Sequence, residues 1–181
     1  MDISKNIVER CKKNDRKAQQ MLYKVFSSRM YGVCLRYYPN ADVARDILQD
    51  GFIKVFQKIS SFRSEGSIEG WIRKIMVNTA LEYHRKKRDD VEDNLTSAYN
   101  SHFEHSFIQT DYQLLLTIVS TLPKQYRIVF NLYAIEGYSH SEIAKLLEIS
   151  ESTSKSNYSR ARAILREKVS RIEKHEHYAL L

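Results

Sequence analysis

Apolar positions recur at three- and four-residue intervals along most of the chain, the spacing of one face of an α-helix. Ala18, Leu22, Val25, Phe26, Met30, Val33 and Cys34 predict a long amphipathic helix that ends near "YYPN". Pro39 stops it, and Asn40 or Asp42 can cap the next. That second helix carries Phe52, Val55, Phe56 and Ile59 on one stripe. Ser and Gly in "SSFRSEGS" (60–67) mark a loop, and a third helix follows with Ile72, Ile75, Met76, Thr79, Ala80 and Tyr83 facing inward. Periodicity returns at "DYQLLLTIVSTLP". Pro123 suits the start of a helix whose core face is Ile128, Val129, Leu132 and Ile135, and Gly137 ends it. "SHSE" (139–142) has the form of a capping box, with Ile143, Leu146 and Leu147 inward behind it. A tight turn at Glu148–Ser150 leads into a last helix.

The low counts of Gly (5) and Pro (2) in 181 residues exclude a turn-rich all-β fold, and 43% hydrophobic residues suffice for packed cores. The fold expected is all-α. Composition changes abruptly after "RKKR" (85–88). Residues 89–111 hold six acidic side chains (Asp89, Asp90, Glu92, Asp93, Glu104, Asp111) and no Lys or Arg, which reads as an exposed, flexible linker. The expected layout is a helical domain over 1–88, a linker over 89–110, a second helical domain over 111–174 and a tail over 175–181.

The formal charge of +7 and a pI of about 9.3 point to a polyanionic partner. Cys11 and Cys34 form no C-x-x-C, in keeping with a reducing cytoplasm and structural thiols. No stretch reaches the ~18 to 20 apolar residues of a membrane span, so a cytosolic chain without membrane insertion is expected. No metal or cofactor is expected either. His102 and His105, or His175 and His177, lack companion ligands, and no phosphate-binding or dinucleotide fingerprint occurs.

Three constellations carry candidate chemistry. Two short helices, a three-residue turn and a longer helix that begins with small polar residues form a helix-turn-helix pattern. The start of such a helix enters the major groove, which suits Ser152, Thr153, Lys155, Ser156 and Asn157. Its body flanks phosphates, which suits Arg160, Arg162 and Arg166, while Tyr158, Ala161 and Leu165 pack inward. A solvated basic helix is the plainer alternative. The second group lies at the 60–67 loop and beyond: Arg63, Arg73, Lys74, Arg85, Lys86, Lys87 and Arg88, with Trp71 and Asn78. Such a loop can grip an unstacked base, although Trp71 also suits a core. The third is acidic. Asp46, Gln49, Asp50 and Ile53 share one helix face away from the apolar stripe, either as a solvated surface or as a dock for a basic partner.

Together these segments resemble the extracytoplasmic-function (ECF) group of bacterial RNA polymerase sigma factors. "DVARDILQDGFIKVF" is similar to the family's polymerase-binding helix, and "SFRSEGSIEGWIRKIMVNTALEYHRKKR" to the loop and helix that melt and read the minus-ten element. "LPKQYRIVFNLYAIEGYSHSEIAKLLEISESTSKSNYSRARAIL" is similar to the domain that reads the minus-thirty-five element. The likeness spans about residues 10 to 170. It implies two domains, sigma region 2 and sigma region 4, and a non-enzymatic initiation factor that binds core RNA polymerase and promoter DNA. It also implies an anti-sigma partner, often membrane-bound in the family. Asp46, Gln49, Asp50 and Ile53 would dock on polymerase. Phe62, Arg63 and Ser64 of the loop, with Lys74, Asn78 and Arg85 on the following helix, would engage the melted non-template strand. Lys155, Ser156, Ser159 and Arg160, helped by Arg162, would read the upstream element. Departures from the family pattern are Arg45 for Glu, Gly51 as a flexible point in the docking helix, and Glu148 for the Gly of the turn. Ser154 stands in place of Val, and Asn157 and Tyr158 in place of Arg and Leu. A dimeric helix-turn-helix regulator that works without docking on polymerase is the alternative. An enzyme holding metal on Asp46 and Asp50 ranks below both.

Overall fold

The computed structural model describes the backbone over residues 3–89 and 111–179, with side chains over 6–86 and 116–172. All regular structure in these residues is helical. The chain divides into two compact units, Met1–Ser97 and Ala98–Leu181. Residues 90–110, which hold nearly all of the expected acidic linker, lie outside the described residues. No helix among the described residues is long and apolar enough to cross a membrane.

The first unit is built from α1 (Ile3–Lys12), α2 (Arg16–Tyr37), α3 (Ala41–Lys58) and α4 (Ile68–Asp89), with one 3₁₀ turn at Ile59–Ser61. The helix α1 was not foreseen from periodicity. It buries Ile7, Val8 and Cys11. Asn14 takes the left-handed backbone (φ 58°) that turns the chain from α1 into α2. Asp15 then caps α2, its Oδ1 accepting from the Lys17 and Ala18 amides at 2.9 and 3.2 Å. The hydrogen bond from Arg10, and then that from Ala18, hold the Asp15 carboxyl below its usual range. Of the two candidate caps for α3, the structure uses Asn40, whose Oδ1 accepts from Asp42 and Val43, both at 3.0 Å.

The core gathers Leu22, Phe26, Met30 and Tyr37 from α2, Ala44, Ile47, Phe52 and Val55 from α3, and Ile72, Met76, Ala80 and Leu81 from α4. Each large apolar side chain taken from water contributes about 1.5–3 kcal/mol. Cys34 sits among them, and burial pushes its thiol pKa up to about 12, as befits a structural cysteine. Gly51 is buried where α3 meets α4. A Cβ there would overlap Met76 Sδ and lie 2.9 Å from its Cε. This glycine therefore admits a close approach. The expectation of a flexible point in α3 gives way to one of tight packing. Lys54 completes the crossing, its Nζ donating to Glu82 at 2.6 Å and to Thr79 Oγ1 at 3.3 Å on α4. Arg29 of α2 pairs with Glu69 of α4 at 2.8 Å.

The second unit comprises α5 (Asp111–Ser120), α6 (Lys124–Phe130), a π turn (Asn131–Ile135), α7 (His140–Leu147) and α8 (Glu151–Ala179). Ile118, Val119 and Leu122 pack with Ala161 and Leu165 of α8. Ile128, Val129, Leu132, Ile143 and Leu147 are buried around the helix-turn-helix. Arg127 donates to the carbonyls of Ser120 (3.0 Å) and Leu122 (2.9 Å), satisfying groups left open as α5 ends. The helix expected over 124–136 changes pitch after Phe130. There the buried Asn131 side chain donates to the Arg127 carbonyl at 2.9 Å, and Gly137 ends the segment at φ 78°. The last helix runs on to Ala179, through most of the stretch expected as a tail.

The Gly51–Met76 contact yields a coupled prediction. Gly51→Ala gains about 1 kcal/mol of helix propensity but forces an overpacked core at a cost of about 1–3 kcal/mol. The first unit should lose about 1 kcal/mol in urea unfolding followed by Trp71, the single tryptophan. In a Met76→Ala background the same substitution should become neutral or stabilising.

Candidate nucleic-acid interface

The apolar stripe of α3 is spent on the core, so its other face is left to solvent. Asp46, Gln49, Asp50 and Ile53 are all exposed there, as their i, i+3, i+4, i+7 spacing dictates. Ile53, one turn beyond Asp50, is 54% exposed. Arg45 does not neutralise this face by pairing with Asp46 or Asp50. Its guanidinium instead pairs with Asp42 at 2.7 Å. The structure thus keeps all four expected residues together on one surface of α3, acidic along most of its length and apolar at its C-terminal end.

The loop after α3 has a fixed base and a free tip. Phe62 is buried at 7% exposure and packs on Trp71, ring centroids 5.5 Å apart. The expected role of Phe62 as a direct DNA contact therefore does not fit this structure, in which the ring anchors the loop. Trp71 is half-buried in the same contact. Ser61 Oγ donates to the Lys58 carbonyl at 2.7 Å. Ser67 receives the Gly70 and Trp71 amides, which starts α4. Between these anchors Arg63, Ser64, Glu65 and Gly66 are exposed, with Ser64 (φ 59°) and Gly66 (φ 92°) both left-handed. Beside the tip, Lys74, Asn78 and Arg85 fall on one exposed stripe of α4, at i, i+4 and i+11. Among the described residues, no ion pair engages Arg63, Lys74 or Arg85, which leaves their charges available to an anion.

In the second unit the capping box is complete. Ser139 Oγ accepts from the Glu142 amide at 3.2 Å, and Glu142 Oε2 accepts from the Ser139 amide at 2.8 Å. Glu148 ends α7 in the left-handed region (φ 55°, ψ 46°). Ser150 then caps α8, accepting from Thr153 N–H at 3.0 Å through Oγ. A part-buried polar contact seats α8 against α7: His140 Nδ1 lies 2.9 Å from the Oγ of Ser154, a fully buried residue. The His140 ring stacks on Tyr133 at 4.3 Å, and Tyr133 meets Tyr158 at 4.5 Å. The hydroxyl at position 154, where the resembled family commonly has valine, thus has a partner on α7.

The outward side of α8 presents Ser152, Ser156 and Ser159 along its centre, with Thr153 and Arg160 to one flank and Lys155 and Arg162 to the other. Ser156 Oγ donates back to the Ser152 carbonyl at 2.7 Å. Arg160 reaches Tyr126 Oη at 3.4 Å, and Arg162 lies over the Tyr158 ring at 5.8 Å. Asn157 departs from expectation. It is 8% exposed and points into the unit, so it seats the helix and does not face a groove. His140 and Glu151 were missed by sequence reasoning. The capping box could have placed His140 at the start of α7, but its contact with Ser154 is tertiary. Glu151 pairs with Lys155 at 2.7 Å, a pairing that the i, i+4 spacing already encodes.

Residues 22–89 match the family profile described as Sigma-70 region 2, and residues 112–165 the one described as Sigma-70, region 4. The ECF RNA polymerase sigma-E factor of Haemophilus influenzae is 27% identical over 177 residues, covering 90% of this chain and 93% of that protein. The protein of the same name from Escherichia coli K12 is 29% identical, covering 90% and 92%. Among solved structures, the sigma factor RpoE bound to the anti-sigma factor NepR from Bartonella quintana shares the fold. Its TM-score is 0.53 at 23% identity, covering 83% of this chain and 96% of that one.

The strained turn before α8 supplies a test of its own. A non-glycine residue in the left-handed region costs about 1–2 kcal/mol, of which glycine's greater unfolded entropy takes back about 0.5–1. Glu148→Gly should therefore stabilise the second unit by about 0.5–1 kcal/mol, seen as slower amide exchange at Ile143 and Leu147. Glu148→Ala should show no such gain.

Proposed function

The chain belongs to the ECF group of the sigma-70 family and directs RNA polymerase to promoters, and on that premise we propose how its surfaces divide the work. The acidic face of α3 docks on core polymerase, with Asp46, Gln49 and Asp50 in a row and Ile53 at the C-terminal end of that row. Burying an exposed isoleucine gives such a contact an apolar anchor, and the carboxylates give it orientation toward a basic surface. The tip Arg63–Gly66 and the α4 stripe Lys74, Asn78 and Arg85 hold the unpaired non-template strand of the minus-ten element. Lys74 and Arg85 meet phosphates and Asn78 offers a base-reading amide. Phe62 acts beneath this surface as the anchor of the loop.

In the second unit α8 lies in the major groove of the minus-thirty-five element. Small serines at its centre permit close approach, and Lys155, Arg160 and Arg162 flank them. The observation that carries this reading is the exposure of candidate residues on single faces of α3, α4 and α8, while the opposite faces make the cores. The protein acts through polymerase and performs no catalysis of its own. Its place is the cytoplasm, where polymerase and promoters are, and an anti-sigma factor is a further partner. The Bartonella sigma factor of like fold is bound to one.

The test is co-purification with core polymerase. Asp46→Arg/Asp50→Arg should lower recovery of polymerase by about tenfold or more, the scale on which like charge opposes docking, while the helical circular dichroism is kept. Retention of polymerase by the double variant would remove the docking role of α3. If even the wild type ignores polymerase but binds duplex DNA as a dimer, the reading as an initiation factor is wrong.

A further inference from the structure

We propose that Glu151 and Lys155 act together as a two-point reader that selects a G·C base pair in the upstream promoter element. This rests on the reading of α8 as the promoter helix. Glu151 is the first residue of α8, at the end that enters the groove, and its carboxylate lies 2.7 Å from Lys155 Nζ. Both side chains stand in solvent, 49% and 61% exposed, so the pair is a surface feature and not part of the core.

A carboxylate beside DNA is repelled by phosphates unless it meets a hydrogen-bond donor. It can only accept, whereas the ammonium can only donate. In the major groove the donors are the N4 amino group of cytosine and the N6 amino group of adenine. Lys155, held beside Glu151, needs acceptors next to that donor. A G·C pair supplies two adjacent acceptors, guanine N7 and O6, followed directly by cytosine N4. An A·T pair sets the adenine amino group between its two acceptors, where it faces the ammonium as well as the carboxylate. The G·C edge therefore separates acceptors from donor as the pair of side chains does.

Glu151 also offsets the charge of Lys155, so the pair adds discrimination at the expense of non-specific attraction to phosphate. A carboxylate at a helix start has another use, since it favours the helix dipole. That role alone predicts no preference for any base, which separates the two.

The experiment uses the full chain assembled with core polymerase and a library of promoter duplexes randomised over the upstream element. Bound duplexes are sequenced for the wild type, Glu151→Ala, Glu151→Gln and Arg160→Ala. The wild type should prefer G·C over A·T about tenfold at one position, the size expected of a good two-point contact. Both Glu151 variants should lose that preference alone, leave the other positions within about twofold, and bind random duplex more tightly. Glu151→Gln keeps the shape of the side chain, and circular dichroism confirms that α8 persists in each variant. A profile unchanged in both Glu151 variants, with affinity raised uniformly, overturns the proposal and leaves Glu151 as a helix-end charge. A wild type without upstream preference, unaffected by Arg160→Ala, overturns the reading of α8 itself.

Discussion

A close approach at Gly51 sets how α3 and α4 meet in the first unit. Because residue 51 has no Cβ, Met76 of α4 can lie directly against the backbone of α3. That crossing commits the inner face of α3 to the core, from Ala44 through Val55. What remains for α3 to offer is its outer face, and for α4 the stripe carrying Lys74, Asn78 and Arg85. Lys54 reinforces the same crossing from its edge through Glu82 and Thr79. The ion pair is partly exposed, so its value is modest, on the order of 1 kcal/mol or less. It links the helix that carries Asp50 and Ile53 to the helix that carries Asn78.

The second unit solves a related problem with polar groups. A recognition helix must be seated firmly while its outer face stays small and unencumbered. Here Ser154 is wholly buried and meets His140 at the start of α7, and Asn157 is buried one turn on. Removing the His140 side chain would leave the buried Ser154 hydroxyl without this partner, a cost of about 1–3 kcal/mol. The aromatic side chains Tyr133, His140 and Tyr158 close over this contact, and the π turn at Asn131–Ile135 aims Tyr133 at His140. Firm seating of this kind holds the outward serines and arginines in one register, as the proposed contact with DNA requires.

Much of this was legible in the sequence. The 3.6-residue period located the faces of α2, α3, α4 and α8, and with them the exposure of Asp46, Gln49, Asp50, Ile53, Lys74, Asn78 and Arg85; Val25, expected on the inner face of α2, is instead 55% exposed, at the edge of that face. The capping box at Ser139–Glu142 was readable because it is a local motif with its own hydrogen bonds. What escaped depends on contacts distant in the chain. Gly51 reads locally as flexibility, and only Met76 across the helix crossing shows it to be a packing site. Phe62 reads as a loop aromatic until Trp71 is seen beneath it. Asn157 reads as a polar groove residue, although its angular position on α8 is close to that of Ser154 and Ala161. Counting around the helix would have placed it inward. The π turn has no sequence mark of comparable strength.

The proposed division of labour has α4 meeting melted DNA and α8 meeting duplex, each through a named face. The most direct test is site-specific photocrosslinking in a promoter complex, with a photoreactive residue placed at position 78 or at position 156. Position 78 should label the non-template strand of the minus-ten element, and only once the duplex opens. Position 156 should label the minus-thirty-five element before and after opening. Labelling of the upstream duplex from position 78, or of no DNA from position 156, would contradict the division of labour between the two units.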